Sequence, residues 1–294
     1  MRVIDAHLHL WDLDRNPYPW LQGPDTQSFF GDNTPLRRTF LTADLDREAS
    51  PWQIGGVVHV QANWAPSDPV GESAWLASVA AADAFGRPNA LVAYADLCSP
   101  ALDEMLDGHA RYPALRGIRQ TLHRAALPGG APDLLSDPAW LRGLSRLSAR
   151  DLCFDMMIFP SQAVGALAAI RANPRLRVML EHTGCPPLGD AGGMEGWRVM
   201  MRAMAAEPNV WLKIGGLGMF DRDWAAGAGD VVREAIDLFG PARCMFGSNF
   251  PVDQLAMPLA RIWTAFDQMT RNYGKDERAA MFYETATMAY RLES

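Results

Sequence analysis

The chain is poor in cysteine and has no excess of positive charge. Its 294 residues include four cysteines that lie far apart in sequence: Cys98, Cys153, Cys185 and Cys244. That spacing excludes zinc-finger and redox CxxC motifs, so we expect reduced, buried thiols. The formal net charge of −7 disfavours a nucleic-acid-binding protein, because such a protein needs a basic surface.

Long hydrophobic runs are also missing. No stretch reaches the roughly 18 apolar residues that a membrane span requires. The opening segment, MRVIDAHLHL, has one arginine and no small-residue cleavage site, which is unlike a signal peptide. We therefore expect a cytoplasmic protein with no nucleic-acid partner and no membrane partner. A hydrophobic content of 49% is ordinary for a globular chain of this length.

Short apolar segments alternate with helical patterns along the whole chain. Eight segments have the character of strands: Val3–Leu8, Gly56–Gln61, Ala90–Leu97, Leu115–Gln120, Leu152–Phe159, Leu176–His182, Val210–Ile214 and Arg243–Gly247. Several are almost continuously hydrophobic, which is typical of parallel strands buried on both faces. Eight strands, each followed by a helix, predict an α/β fold: a single (β/α)8 TIM barrel over residues 1–294.

The segments between these strands have helical character, with one exception. The predicted helices are Glu72–Phe85, Pro100–Ala110, Asp137–Ala149, Ser161–Asn173, Gly196–Ala206, Ala226–Phe239, Leu255–Asn272 and Asp276–Leu292. The exception is residues 11–44, which are rich in Pro, Gly, Asp and aromatic residues and too long for an ordinary βα loop. This loop leaves the first strand on the side where barrel active sites lie. We expect it to cover the site; a purely structural excursion is the alternative.

Two histidines at the end of the first strand are the strongest chemical signal. His7 and His9 are two positions apart, and alternate residues of a strand point to the same face. His182 ends the sixth strand, so we expect all three to meet at the mouth of the barrel as catalytic residues. Three histidines are also a ligand set typical of one open zinc site. Strand alternation predicts that Glu181 points away from them.

Other polar residues follow the second and fourth strands. Arg119 lies near the end of the fourth strand, where a guanidinium suits bidentate binding of a carboxylate; a surface salt bridge is the alternative. Gln61, Trp64 and His123 lie at or beyond strand ends and are predicted to bind substrate. Gln61 and Trp64 are expected to shape the substrate pocket and to take no part in the chemistry. His123 lies in a loop and is equally compatible with a structural role.

The eighth strand ends in CMFGSNFPVD, which supplies two further candidates for catalysis, Asn249 and Asp253. Asp155 and Lys213 are inward-facing candidates on the fifth and seventh strands. Asp5 lies one layer deeper than the first histidine pair, where a carboxylate would orient an imidazole. The sequence thus places polar groups at the ends of at least five strands.

In this order, the motifs resemble those of the amidohydrolase superfamily. HLH on the first strand, GIR on the fourth, EHTGCPP on the sixth and FGSNFPVD on the eighth are similar to its amidohydrolase-2 branch. That branch consists of predicted metal-dependent barrel hydrolases, including sugar-acid lactonases and the pyrone-dicarboxylate lactonase. The resemblance covers essentially the whole chain, and it is specific for the branch but not for a substrate.

The resemblance implies hydrolysis of a lactone or a related ester or amide. Arg119 then holds the substrate carboxylate or polarises its carbonyl. The branch normally has an Asp that activates water on the eighth strand, but this chain has Asn249, which cannot accept a proton at neutral pH. Asp253, a histidine or a metal-bound hydroxide remain as the base. The fifth strand has no histidine, so we expect one divalent metal, zinc or manganese, or none.

The function predicted from the sequence is therefore the opening of a small carboxylated lactone by water. A lactone isomerase or a decarboxylase at the same site is the first alternative, because the absence of a water-activating Asp favours a non-hydrolytic reaction. A ligand-binding barrel without catalysis is the second, since a fold alone never establishes activity. The expected partner is a small anionic lactone, and a homo-oligomer is compatible with the sequence.

Overall fold

The computed structural model describes residues 2–127 and 130–292. In that part of the chain, eight parallel strands form one sheet in sequence order. We number them β1 (Arg2–Leu8), β2 (Gln53–Val60), β3 (Ala90–Ala93), β4 (Leu115–Ile118), β5 (Cys153–Met156), β6 (Val178–Leu180), β7 (Val210–Ile214) and β8 (Cys244–Phe246). This topology, with helices between the strands, confirms the predicted (β/α)8 barrel.

The sheet closes through the segment that follows β8. The backbone N–H of Asn249 donates to the carbonyl oxygen of His7 at 2.8 Å, and that of His9 donates to Phe250 at 2.8 Å. A parallel bridge between Leu8 and Phe250 lies between these two bonds. Closure of the barrel therefore brings the two histidines of β1 beside Asn249.

Helices fill the connections between the strands. The α-helices described are Pro19–Gln22, Thr42–Ala49, Gly71–Ala82, Leu102–Ala110, Pro138–Ala149, Ala163–Ala172, Ala191–Ala205, Trp224–Gly227, Gly229–Phe239, Leu259–Met269, Lys275–Ala279 and Thr285–Tyr290. Short 3-10 helices cover Thr34–Leu36, His123–Ala126, Leu134–Ser136, Pro160–Gln162, His182–Gly184, Leu217–Met219, Pro241–Arg243 and Val252–Leu255. A π-helix spans Ala280–Glu284 and joins the last two α-helices.

Alternate residues of the strands form an apolar cluster inside the barrel. Its buried strand residues are Ile4, Ala6, Val58, Val60, Ala90, Val92, Cys153, Met179 and Met245. Tyr290 of the last helix packs against this cluster, and its hydroxyl donates to Asp155 at 3.0 Å. Asp155 also pairs with Lys213, so these two predicted inward residues form a buried ion pair within the barrel. The last helix thus closes one end, and the C-terminal ends of the strands form the mouth.

The segment after β1, predicted as an irregular loop over residues 11–44, contains short regular elements. A four-residue helix, Pro19–Gln22, is followed by a hairpin of Gln27–Ser28 with Gly31–Asp32. Helix Thr42–Ala49, which the sequence pattern did not indicate, begins at its end. The indole N–H of Trp20 donates to the carbonyl oxygen of Ala62 at 2.8 Å, which ties the segment to the end of β2.

All four cysteines are free within the described residues; three are buried and Cys98 is half-buried. Among residues 2–127 and 130–292, no helix combines the length and the apolar character that crossing a membrane requires.

Candidate active site

A cavity of about 550 Å³ opens at the C-terminal ends of the strands. Its lining includes His9, Arg119, His182 and Asn249, which come from four different strand ends. The segment after β1 supplies much of the remaining wall: Pro19, Trp20, Gly23, Pro24, Asp25, Gln27, Ser28, Phe29, Phe30 and Asn33. The long loop therefore lines the mouth of the barrel, where the sequence predicted the catalytic residues.

A buried carboxylate connects three of the site side chains. Glu181 Oε1 lies 3.3 Å from His7 Nδ1, and its Oε2 lies 2.9 Å from Arg119 Nε and 3.7 Å from His182 Nε2. Glu181 is fully buried. Burial raises the pKa of this carboxyl group, and the positive charge of Arg119 opposes the rise. The pair places one negative and one positive charge at the base of the site.

The prediction that Glu181 points away from the site was wrong. Strand β6 ends at Leu180, and Glu181 continues the inward positions that begin with Met179. His182 lies beyond the strand and has a φ of 54°, a left-handed conformation in which the chain turns. Both neighbours therefore face the same site, because strand alternation no longer applies at His182.

Two glycines make room for the histidines. A Cβ atom at Gly216, where φ is +65°, would collide with the ring of His182. A Cβ atom at Gly247 would collide with the backbone and Cβ of His7. Glycine at these two positions, just beyond β7 and β8, allows the chain to pack closely against the ring of His182 and the backbone of His7.

His9 has an acceptor oxygen near each ring nitrogen. Its Nδ1 lies 2.7 Å from the carbonyl oxygen of Val60, so Nδ1 carries the proton in the neutral ring. Its Nε2 lies 3.3 Å from Asn249 Oδ1. Burial and the positive charge of Arg119 lower the pKa of His9 to about 3, so the imidazole is neutral at neutral pH. Burial likewise lowers the pKa values of His7 and His182.

Asn249 and Asp253 are hydrogen-bonded to each other. Asn249 Nδ2 donates to Asp253 Oδ1 at 2.8 Å, and the backbone N–H of Gly218 donates to Asp253 Oδ2 at 3.1 Å. Asp253 is only 1% exposed and lies behind Asn249 rather than in the cavity lining. Burial raises its pKa to about 7. Asp253 therefore reaches the cavity through the carboxamide of Asn249.

Asp5 orients backbone rather than an imidazole. Its Oδ1 accepts hydrogen bonds from the backbone N–H groups of Ser248 at 2.8 Å and His7 at 3.2 Å. Burial raises its pKa to about 6. Asp5 thus joins β1 to the end of β8 directly below the site.

The predicted substrate-binding residues divide into two groups. Gln61, Arg119 and His123 line the cavity. Gln61 Nε2 and His123 Nδ1 are buried and have no hydrogen-bond partner among the described residues. Trp64 instead packs in an aromatic cluster, with ring centroids 5.3 Å from Tyr18 and 6.4 Å from Trp75.

One group of site residues fits a divalent metal. Ligand atoms of His7, Glu181 and His182 all lie within 4.8 Å of one another. Zinc bonds of about 2.0–2.1 Å in a tetrahedral site separate ligand atoms by about 3.4 Å, close to the 3.3 Å between His7 Nδ1 and Glu181 Oε1. His7 Nε2 is also buried without a hydrogen-bond partner in the described part of the chain. This geometry favours Glu181 over His9 as the third ligand.

Comparisons with known proteins agree with this architecture. A model of the family described as "Amidohydrolase" matches residues 4–292. An uncharacterized protein of Sinorhizobium fredii is 38% identical over 99% of this chain and 98% of its own length. An L-fucono-1,5-lactonase of Burkholderia ambifaria is 30% identical over 99% of this chain and 96% of its own length.

A solved structure has the same fold as this chain. The crystal structure of an amidohydrolase from Burkholderia multivorans with bound zinc has a TM-score of 0.82 and 28% identity, over 100% of both chains. The barrel and the imidazoles at its mouth are what the sequence motifs predicted for that family. Together with the family match over residues 4–292, they show that this chain is a hydrolase that belongs to the amidohydrolase family.

Proposed function

We propose that this chain opens a small neutral lactone by the attack of water. The observation that carries the proposal is the convergence of Arg119, His9 and His182 on one cavity, with the charge of Arg119 balanced by Glu181. The similarity to an L-fucono-1,5-lactonase supports a lactone whose ring carries hydroxyl groups and no charge.

The charges around the cavity favour a neutral substrate over the carboxylated lactone predicted from the sequence. A carboxylate needs a cation that is not already paired, but Arg119 Nε lies 2.9 Å from Glu181 Oε2. Exposed Arg124 and exposed Asp25 both line the cavity, so the positive charge of one is offset by the negative charge of the other. The unpartnered Gln61 Nε2 suits a hydroxyl of the substrate better than it suits an anion.

In the proposed reaction, Arg119 donates a hydrogen bond to the lactone carbonyl oxygen and stabilises the oxyanion that forms. The attacking water takes the place of Asn249 Oδ1 at His9 Nε2, and it gives this nitrogen a proton as its oxygen bonds to the carbonyl carbon. The bond between that carbon and the ring oxygen then breaks, and His9 returns the proton to the leaving ring oxygen. The carbonyl oxygen of Val60 and Asn249 Oδ1 accept hydrogen bonds from both N–H groups of the protonated ring.

A metal bound by His7, Glu181 and His182 would supply Lewis-acid polarisation of the substrate carbonyl. The residues named above act on the substrate from the cavity side in either case. Glu181 would then serve both Arg119 and the ion, because its two oxygens face different partners.

A pH-indicator assay tests the proposal. We expect acid release from neutral hexono-1,5-lactones and slower release from a dicarboxylated pyrone lactone, in parallel reactions with chelator and with zinc. His9→Asn should lower kcat by about 10²-fold or more, the usual contribution of a general base, whereas exposed Asp276→Asn should leave kcat unchanged. No acid release from any lactone, or a product that is a new lactone or carbon dioxide, would contradict the proposal.

A further inference from the structure

Three aromatic rings form one wall of the cavity. Phe29 and Phe30 lie at the turn of the hairpin after β1, and His123 lies in the segment after β4; all three line the cavity. The ring centroid of Phe29 is 5.1 Å from that of Phe30 and 5.1 Å from that of His123. Phe29 is 39% exposed, although phenylalanine is among the residue types most often buried. This aromatic wall therefore presents an apolar surface to the opening of the cavity.

Contacts with other loops fix the position of the aromatic wall. Phe159, which follows β5, packs against it, with ring centroids 6.3 Å from Phe29 and 6.1 Å from His123. The carbonyl oxygen of Phe30 accepts a hydrogen bond from Arg222, which follows β7. Loops after four strands thus hold the wall in place, so its position does not depend on the hairpin alone.

The surroundings of the aromatic wall are apolar and carry little charge. Leu127, Met219 and Val252 also line the cavity. Burial and the positive charge of Arg119 lower the pKa of His123 to about 3, so this imidazole is neutral at neutral pH. A neutral apolar group therefore suits the wall better than a charged one.

Polar side chains beside the wall bond within their own segment. Asp25 Oδ1 accepts a hydrogen bond from the backbone N–H of Gln27 at 2.9 Å, and Asn33 Nδ2 donates to Ser28 Oγ at 3.4 Å. A hydroxylated ring at the wall would have to compete for these groups, because each of its hydroxyls needs a hydrogen-bond partner when it leaves water. An apolar ring has no such requirement.

The cavity is larger than the lactone ring that the proposed reaction requires. Its volume of about 550 Å³ lies within the range of about 300–1,000 Å³ that encloses a drug-sized ligand, whereas a hexono-1,5-lactone has only about a dozen non-hydrogen atoms. A lactone whose carbonyl group faces buried His9 and Arg119 has the opposite side of its ring directed towards the opening. The cavity therefore has room for a substituent on that side.

We propose that the aromatic wall of Phe29, Phe30 and His123 is a second subsite, which binds an apolar ring carried by the lactone opposite its carbonyl group. This inference rests on the proposed function, because the position of the carbonyl group determines which side of the substrate faces the wall. An aryl group packs against Phe29 in the offset or edge-to-face arrangement that aromatic pairs prefer. The substrate class is then a hydroxylated lactone with an aryl substituent.

Two lactones that differ by one substituent test the subsite. The first is a neutral hexono-1,5-lactone, and the second is its benzyl ether at the ring carbon opposite the carbonyl group. In the wild type, we expect kcat/KM of the benzyl ether to be about 10-fold higher or more, because even small apolar groups in a pocket give such factors. The gain should appear as a lower KM with a similar kcat, since the wall does not act on the reacting atoms.

Phe29→Ala should remove this preference. We expect kcat/KM of the benzyl ether to fall by about 10-fold, whereas that of the parent lactone should change little. A merely structural role of Phe29 predicts equal losses for the two lactones. Phe85→Ala is the matched control, because Phe85 is 59% exposed and lies outside the cavity lining. It should leave both values unchanged.

A third lactone distinguishes an apolar ring from a hydroxylated one. It carries a hexopyranosyl unit in place of the benzyl group, at the same ring carbon. We expect its kcat/KM in the wild type to stay near that of the parent lactone, because the wall offers its hydroxyl groups few hydrogen bonds. A hexosyl lactone that is preferred over the benzyl ether would overturn the assignment of the subsite to an apolar ring.

Binding measurements separate the subsite from the reaction. The 1,5-lactams of the parent and the benzylated compound keep the ring and the carbonyl group, and calorimetry gives their Kd values. We expect the benzylated lactam to bind about 10-fold more tightly to the wild type and to Phe85→Ala, but not to Phe29→Ala. If the wild type opens no lactone, the proposed function fails and these Kd values alone decide on the subsite. No difference between the two lactams in the wild type, or a preference that survives Phe29→Ala, would overturn the inference.

Discussion

Asp253→Asn should change how the stability of the protein depends on pH. Burial raises the pKa of Asp253 from 3.8 to about 7; Arg222 opposes the rise and Asp5 adds to it. The folded protein therefore binds more protons than the unfolded chain between about pH 4 and pH 7. The stabilisation from this group is complete below pH 4 and is lost as the pH rises through about 7.

The magnitude follows from the two pKa values. Between pH 5 and pH 8, the difference in bound protons corresponds to a loss of about 2–3 kcal/mol in the free energy of unfolding. A neutral Asn cannot contribute to this loss. At pH 5, the free energy of unfolding of Asp253→Asn should be lower than that of the wild type by at least the contribution of one hydrogen bond. Between pH 5 and pH 8, however, the free energy of unfolding of Asp253→Asn should fall much less than that of the wild type.

Urea denaturation at pH 5, 6, 7 and 8 measures this difference. Asp5, whose pKa is raised to about 6, contributes in the same direction in both proteins, so only the difference between their slopes reports Asp253. Exposed Asp276→Asn is the matched control and should follow the wild type. Parallel stability curves for the wild type and Asp253→Asn would refute a raised pKa for Asp253.

Three other buried contacts give predictions of their own. Glu181→Gln leaves the guanidinium of Arg119 without its buried partner and should lower the free energy of unfolding by about 3–5 kcal/mol, measured by urea denaturation. The same variant should lower zinc content measured by mass spectrometry after metal loading and dialysis, whereas His9→Asn should retain it; the reverse order would favour the three-histidine set. Lys213→Met leaves Asp155 with the Tyr290 hydroxyl but without a cationic partner inside the barrel, and should lower the free energy of unfolding by about 3–5 kcal/mol as well. Asn249→Asp alone places two carboxyl groups in contact, so they should share one proton and bring a new titration into the pH profile of kcat/KM.

The fold could be predicted because each strand of a parallel barrel is buried on both faces. This burial leaves mostly apolar residues in the strands, such as VML on β6 and CMF on β8. The convergence of His9, Arg119 and His182 on one cavity followed from the same argument, because the C-terminal ends of parallel strands share one side of the barrel. The apolar pattern indicated too long a sixth strand, however: Leu176–His182 was predicted and β6 covers Val178–Leu180.

That difference in length explains why Glu181 was misplaced. Two adjacent residues of a strand cannot face the same side, so a strand that continued to His182 placed Glu181 on the opposite face. The turn at His182 depends on a left-handed backbone conformation and on the space that Gly216 provides, and neither is visible in the apolar pattern. A signal was nevertheless present, because a carboxylate at the end of a buried strand requires a partner, and Arg119 was already predicted for the same mouth.

Asn249 need not indicate a lost activity once its neighbours are considered together. Three buried carboxyl groups, Asp5, Glu181 and Asp253, already lie in or beside the site, and burial raises the pKa of each. A fourth carboxylate at position 249, in contact with Asp253, would add a like charge that only a bound proton or a cation could neutralise. An amide at this position presents an oxygen to His9 without that charge. The substitution is therefore compatible with hydrolysis by a neutral imidazole.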